Sequence, residues 1–128
     1  MKSVEWIMKS IEERALEESG WESPEDAWEW LCEMERDITF NYLRCEIIAD
    51  SIKEALKDTV TDVMVHIDEE GEYAWFYFFG KLNDLEVVLF RGLIDINSSL
   101  FNSPKSVRRF VERVVEVIKQ TELAVSLL

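Results

Sequence analysis

The strongest constraint on the fold is a change in the spacing of the hydrophobic residues near residue 59. Before that point apolar residues recur every three or four positions, which is the period of a helix face. Between residues 59 and 97 they alternate with polar residues or form short continuous runs, as strands do. After residue 103 the spacing of three and four returns. A chain with this pattern packs helices against a sheet, so the predicted fold class is α+β.

Two helical segments precede the predicted strands. The first covers residues 3–19, with Ser3 as its N-cap and Gly20 as its C′ glycine. The second begins at Ser23-Pro24 and carries an apolar stripe in steps of four and three, broken once by Asn41. A single helix over residues 24–57 would be about 50 Å long. We therefore expect a break near residues 38–42 or a projecting end. The stripe contains Ala27, Leu31, Met34, Ile38, Cys45, Ile48, Ile52 and Ala55.

Three strands follow, joined by short turns. The first alternates through residues 61–67, the second (73–82) is apolar on both faces, and the third (85–97) has a possible bulge at Gly92. The turns at residues 68–72 and at Asn83-Asp84 are short enough to make an antiparallel meander. Ser103-Pro104 starts a last helix. The predicted order is α-α-β-β-β-α, in a single domain over residues 1–128.

The charge of the chain excludes one class of partner. It holds 27 acidic and 14 basic residues, a net charge of −13. Phosphate-rich partners would be repelled, so we expect neither direct nucleic-acid binding nor attachment to anionic lipid. The acids concentrate in residues 1–37, with 12 acids against 4 bases, whereas residues 101–128 hold 3 acids and 5 bases.

The sequence indicates a soluble protein of the cytoplasm. Cys32 and Cys45 make no secreted disulfide framework, the first residues lack the apolar core of a signal peptide, and no apolar run is long enough to cross a membrane. Gln120 is the only glutamine against nineteen glutamates. That bias suggests a thermophilic, for instance archaeal, source.

No pattern of catalytic residues is found. His66 is the only histidine, the two cysteines lack metal-ligand spacing, and the four glycines form no phosphate-binding motif. A pair of carboxylates suited to glycoside chemistry stays open, because any two of the 27 acids could meet. We therefore predict no metal, no cofactor and no enzymatic activity, and we keep an enzyme of unrecognised type as an alternative.

An aromatic cluster in the second strand has two interpretations. Such a strand could stack nucleic-acid bases, but base-stacking platforms are flanked by lysine and arginine, and here the nearest base is Lys81. A core strand is the favoured interpretation. The cluster contains Tyr73, Trp75, Phe76, Tyr77, Phe78 and Phe79.

The second helix combines acids with tryptophans. Trp28 and Trp30 project about 160° apart, so one neighbour cannot bury both, and an exposed tryptophan is typical of a binding surface. The acids form either a solvated face, balanced by Lys105, Arg108, Arg109 and Arg113, or a docking stripe for a basic partner. The predicted partner-binding set is Glu22, Glu25, Asp26, Glu29, Glu33, Trp28 and Trp30.

Two functions from different classes follow. The first is a small acidic binding or inhibitor protein that docks on a basic, nucleic-acid-handling protein. Immunity proteins, antirestriction proteins and other viral anti-defence proteins share this acidic, one-domain composition, although no family motif is found. The second is a homodimer with a structural, chaperone or adaptor role, since an apolar edge strand needs a cover. Its predicted self-association set is Val87, Leu89, Arg91, Leu93, Leu127 and Leu128.

Overall fold

A computed structural model describes residues 2–34 and 43–126, with side chains to residue 124. The predicted α+β class and the antiparallel meander are confirmed. The described residues form four helices where three were predicted, because the apolar stripe carries both Pro24–Met34 and Leu43–Ala55. The predicted break near residues 38–42 and Asn41 lie outside the described residues. The elements are α1 (Val4–Ser19), α2 (Pro24–Met34), α3 (Leu43–Ala55), β1 (Asp62–Ile67), β2 (Tyr73–Leu82), β3 (Leu85–Asp95) and α4 (Arg108–Ser126).

The ends of α1 follow the predicted capping chemistry. The Ser3 hydroxyl accepts a hydrogen bond from the Trp6 backbone N–H at 3.2 Å. Gly20 adopts a left-handed conformation (φ 73°), and its N–H donates to the Leu16 carbonyl at 2.9 Å. The apolar face of α1 is buried, and the helix packs against both α2 and α3.

The sheet has the order β1-β2-β3, so β2 is its central strand. Asn83 and Asp84 both have positive φ (50° and 66°), the conformation of a two-residue turn that matches the twist of its strands. The bulge predicted at Gly92 lies instead at Leu89, because Phe78 pairs with Phe90 while Phe79 pairs with Val88. Gly92 has a different role.

Gly92 makes room for aromatic packing. A Cβ atom at this position would lie 2.5 Å from the Phe90 ring and 3.3 Å from the Phe110 ring. Glycine therefore lets α4 approach β3. Phe110 of α4 reaches across to Phe76 of β2, with the ring centroids 4.8 Å apart.

The two faces of β2 have different surroundings. Ala74, Phe76 and Phe78 are fully buried and belong to the hydrophobic core that α3 and α4 complete. The side chains between them point to the opposite face and lie outside that core. We call this surface the open face. It consists of Met64, His66, Tyr73, Trp75, Tyr77, Phe79, Val88, Arg91 and Leu93.

Candidate interaction surfaces

Trp28 holds α2 in place. Its side chain is fully buried, and its indole N–H donates to the Phe101 carbonyl at 2.9 Å. The two rings meet edge to face, 5.9 Å apart. A ring with no exposed area cannot contact another molecule, so Trp28 is removed from the predicted partner-binding set. Trp30 is half-buried and packs against the edge of the core.

The acids of the predicted docking stripe are all exposed. None of the five forms an ion pair within residues 2–34 and 43–126. Ser23 caps α2. Its side-chain oxygen accepts a hydrogen bond from the Asp26 backbone N–H, with 3.5 Å between the oxygen and the nitrogen. This local structure gives α2 a negative face, which we call the acidic stripe. Its members are Glu22, Glu25, Asp26, Glu29 and Glu33.

The basic residues near the start of α4 are directed elsewhere. Arg108 pairs with Glu5 of α1 and, at 3.4 Å, with Glu112 on its own helix. The hydrogen bond and the charge of Arg108 lower the pKa of Glu5. Arg109 and Arg113 line a groove beside β3. Self-neutralisation of the acidic stripe by these arginines finds no support among the described residues.

An exposed tryptophan that helical spacing did not identify lies next to the acidic stripe. Trp21 is 50% exposed and directly precedes Glu22. An exposed aromatic ring beside exposed charges is a common composition for a binding surface. The signal available in the sequence was the position of Trp21 between Gly20 and Ser23, which places it in a connection between helices.

The open face carries aromatic rings with little net charge. Tyr77 and Phe79 lie nearly parallel, with centroids 6.4 Å apart, and the Arg91 guanidinium lies 5.4 Å from the centre of the Trp75 ring. By strand register three carboxylates and two basic side chains share this side of the sheet. It is therefore close to neutral on a chain of net charge −13. The charged residues are Asp62, Glu86, Asp95, Lys81 and Arg91.

The predicted self-association residues are divided between two sides of the sheet. Arg91 and Leu93 lie on the open face, and Leu93 is 46% exposed. Val87 pairs with buried Gly80, and Leu89 packs against the core, so both lie on the helix side. That placement removes Val87 and Leu89 from an interface on the open face. Leu127 and Leu128 lie outside the described residues.

An acidic cluster between α1 and α3 has a perturbed carboxyl. Partial burial raises the pKa of Glu46, and the charges of Asp50 and Glu18 add to the shift. The folded form therefore binds this proton more readily than the unfolded form does. Protonation of Glu46 therefore stabilises the folded protein. This stabilisation is fully present below the ordinary carboxyl pKa of the unfolded chain and is lost as the pH rises through the higher pKa of the folded protein.

Replacing Glu46 with glutamine is consequently expected to stabilise the protein at neutral pH. The gain should be about 0.2–0.5 kcal/mol, the cost of one like-charge pair such as Glu46–Asp50 one helical turn apart. Urea unfolding of E46Q and wild type at pH 7 and near pH 4 measures it, and the difference should shrink at the lower pH. A gain of equal size at both pH values would contradict an electrostatic origin, as would an equal gain in the turn variant E70Q.

The described residues include His66, Cys32 and Cys45, side chains of the types used in metal and covalent chemistry. No group of three or more His, Cys, Asp or Glu side chains within them is arranged to hold a metal ion. Cys32 is exposed, Cys45 is buried, and neither forms a disulfide. No helix in this part of the chain is long and apolar enough to cross a membrane.

No protein-family model, curated protein or solved structure matches this chain.

Proposed function

We propose that this protein is a non-enzymatic binding module of the inhibitor type, acting in the cytoplasm. It docks the acidic stripe of α2 on a basic partner protein that itself handles nucleic acid. The observation that carries the proposal is the exposure of Glu22, Glu25, Asp26, Glu29 and Glu33 with no ion pair to any described residue. A protein that binds phosphate groups presents the complementary positive surface.

The arrangement of α2 suits such docking. Buried Trp28 fixes the helix to the core, so the acids are held on a rigid support and little order has to be gained on binding. Glu25, Glu29 and Glu33 repel one another one turn apart, which costs about 0.2–0.5 kcal/mol for each pair. Cationic groups of a partner would reverse that cost. Trp21 adds an apolar contact beside the charges.

The triple variant E25Q/E29Q/E33Q tests the stripe. We expect its unfolding free energy to be unchanged or slightly higher, because like-charge repulsion is relieved. Capture of a basic protein from host extract at low salt should fall about tenfold or more, since several charge contacts are removed. The captured mass would be read by native mass spectrometry and the salt dependence by stepwise washing.

A matched control removes three charges from another place. E69Q/E70Q/E72Q changes exposed acids in the β1–β2 turn and alters the net charge equally. It should bind like wild type. Equal loss in both triple variants would show that only total charge matters, and unfolding of E25Q/E29Q/E33Q would show that the acids are internal ion-pair partners. Either result contradicts docking through the stripe.

A second candidate function is a homodimeric structural or adaptor protein. The observation that favours it is the open face, where Tyr73, Trp75, Tyr77 and Phe79 lie outside the core. Exposed apolar surface of this kind marks interaction sites. Because the open face is nearly neutral, two copies can meet there despite the negative charge of each chain.

Charge placed on the open face separates this candidate from the first. We expect L93K to shift a dimer to monomer in sedimentation equilibrium, because the lysine would be buried in the interface without a partner. The control L85K changes a leucine that is 71% exposed beside the β2–β3 turn and should remain dimeric. A wild-type chain that stays monomeric at high micromolar concentration would rule out the homodimer.

A further inference from the structure

A groove runs beside the end of β3, away from the acidic stripe and sharing Leu93 with the margin of the open face. It encloses about 460 Å³ between β3, the segment that follows it, and α4. That volume lies within the range of binding sites for small ligands and peptide side chains. Its lining residues are Leu93, Ile94, Asp95, Ser98, Leu100, Arg109, Phe110 and Arg113.

The groove has an apolar wall and a rigid base. Leu93 and Leu100 are 46% and 52% exposed, so apolar surface is open to a ligand. Phe110 packs on Phe76 at 4.8 Å and on Phe90 at 6.0 Å, which ties the base of the groove to the hydrophobic core. A preformed apolar groove loses little entropy when it is filled.

Two arginines give the groove a charge opposite to that of the whole protein. Arg109 and Arg113 stand one turn apart on α4, are exposed, and form no ion pair within residues 2–34 and 43–126. Arg14 and Arg108, by contrast, are paired with Glu54 and Glu5. No described carboxylate pairs with Arg109 or Arg113, so both guanidinium groups can contact a ligand.

The single carboxylate in the groove is already engaged. One Asp95 side-chain oxygen accepts the Asn97 backbone N–H at 2.9 Å, and the Asp95 carbonyl accepts the Ser98 hydroxyl at 2.8 Å. These bonds hold the turn after β3. Asp95 offsets one arginine charge at most, so the groove keeps a positive excess for an acidic ligand.

The strand beside the groove also has an unused edge. β3 pairs with β2 on one side and is the last strand in the sheet order. Among the described residues no strand pairs with its outer edge, and adding a peptide strand to such an edge is a common mode of recognition.

We propose that this groove binds an extended acidic segment of a partner protein as a fourth strand along β3. The segment places an apolar side chain against Leu93 and Leu100, and an Asp or Glu side chain against Arg109 and Arg113. Carboxylates fit the two guanidinium groups by charge and by hydrogen-bond geometry. A long polyanion would extend beyond this local positive site into the negative field of the chain, whereas a short acidic peptide would not.

Selection from a library of random displayed heptapeptides tests the proposal. The purified protein is the bait, and bound peptides are sequenced. We expect enriched peptides that alternate apolar residues with Asp or Glu. Enrichment of basic peptides only, or no enrichment over the starting library, would overturn the proposal.

Variants then locate the binding site. For a synthetic enriched peptide, R109Q/R113Q should raise the Kd measured by fluorescence anisotropy about tenfold or more, as loss of charged hydrogen bonds does. K105Q/K119Q removes the same charge from residues that do not line the groove and should bind normally. Equal loss in both double variants would overturn the proposal.

Two further probes separate this site from the others. Alternate residues of an added strand direct their N–H groups at β3, so of two peptides N-methylated at one or the other alternate set, one should bind at least tenfold more weakly and the other normally. The α2 variant E25Q/E29Q/E33Q should keep peptide affinity, so failure of the α2 proposal and failure of this one give different results. Unchanged affinity of both methylated peptides would exclude strand addition.

Discussion

Replacing Trp28 with alanine is expected to lower the free energy of unfolding by about 3–5 kcal/mol, the range for a large aromatic side chain removed from a core. Trp28 has no exposed area, packs edge to face on Phe101, and donates its indole N–H to the Phe101 carbonyl. A loss of this size is a large part of the roughly 5–15 kcal/mol that stabilises a typical domain. Chemical denaturation followed by circular dichroism measures it.

Two control variants test whether the loss in W28A comes from burial of the ring. W28F keeps a smaller ring in the site and loses the N–H, so it should cost less than W28A; Arg44 still donates to the Phe101 carbonyl at 3.3 Å. W21A removes a tryptophan that is 50% exposed and should change stability by about 0.5 kcal/mol or less. A W21A variant as unstable as W28A would contradict the assignment of Trp28 to the core and Trp21 to the surface.

The second large effect concerns adjacent residues of β2. F76A should lower the unfolding free energy by about 3–5 kcal/mol, because Phe76 is fully buried under α4. Y77A should cost about 1 kcal/mol or less, since Tyr77 lies on the open face and loses mainly cross-strand contacts. Thermal and urea unfolding of both proteins measure the contrast.

The same pair of variants also reports on association. Y77A should weaken a homodimer formed through the open face while leaving each chain folded. Both proteins should be measured at a concentration where the protein is monomeric. Comparable destabilisation by F76A and Y77A would then show that β2 is buried on both faces within one chain, which contradicts the open face.

The parts of the fold that depend on local chemistry could be predicted from the sequence. The period of the apolar residues set the type of each element, Ser3 and Gly20 marked the ends of α1, and Asn83-Asp84 marked the hairpin. Each of these depends on neighbours within a few positions along the chain, which is why a pattern search finds them.

The parts that depend on distant residues could not be predicted. Helical spacing does not decide which of Trp28 and Trp30 is buried. Phe101, which lies in a segment without regular periodicity, receives Trp28. Arg44 reads as a surface residue but is 2% exposed, with its guanidinium 4.4 Å from the centre of the Phe101 ring. A strand that is apolar on both faces, as β2 is, gives no indication of which face the helices cover.

Candidate binding surfaces follow the same division. The acidic stripe is visible in the sequence because its members repeat along one helix. The groove beside β3 is not, since Leu93 and Arg113 come from different elements and meet only in the folded chain. Leu89 shows why side-chain direction could not be predicted throughout β3. The β-bulge at Leu89 reverses the side of the sheet to which residues 85–88 point.

The role of Phe101 also bears on the order in which the protein can fold during synthesis. The carbonyl that receives hydrogen bonds from Trp28 and Arg44 belongs to a residue 73 and 57 positions later in the chain. A ribosome must therefore complete α1 to α3 and all three strands before that part of the core can close. Contacts between residues so distant along the chain form only after a long loop has closed, and the entropy lost in closing it slows folding relative to a simple helical bundle. Until the segment that follows the sheet has been synthesised, Trp28 on the nascent N-terminal helices lacks Phe101, the residue that accepts its hydrogen bond.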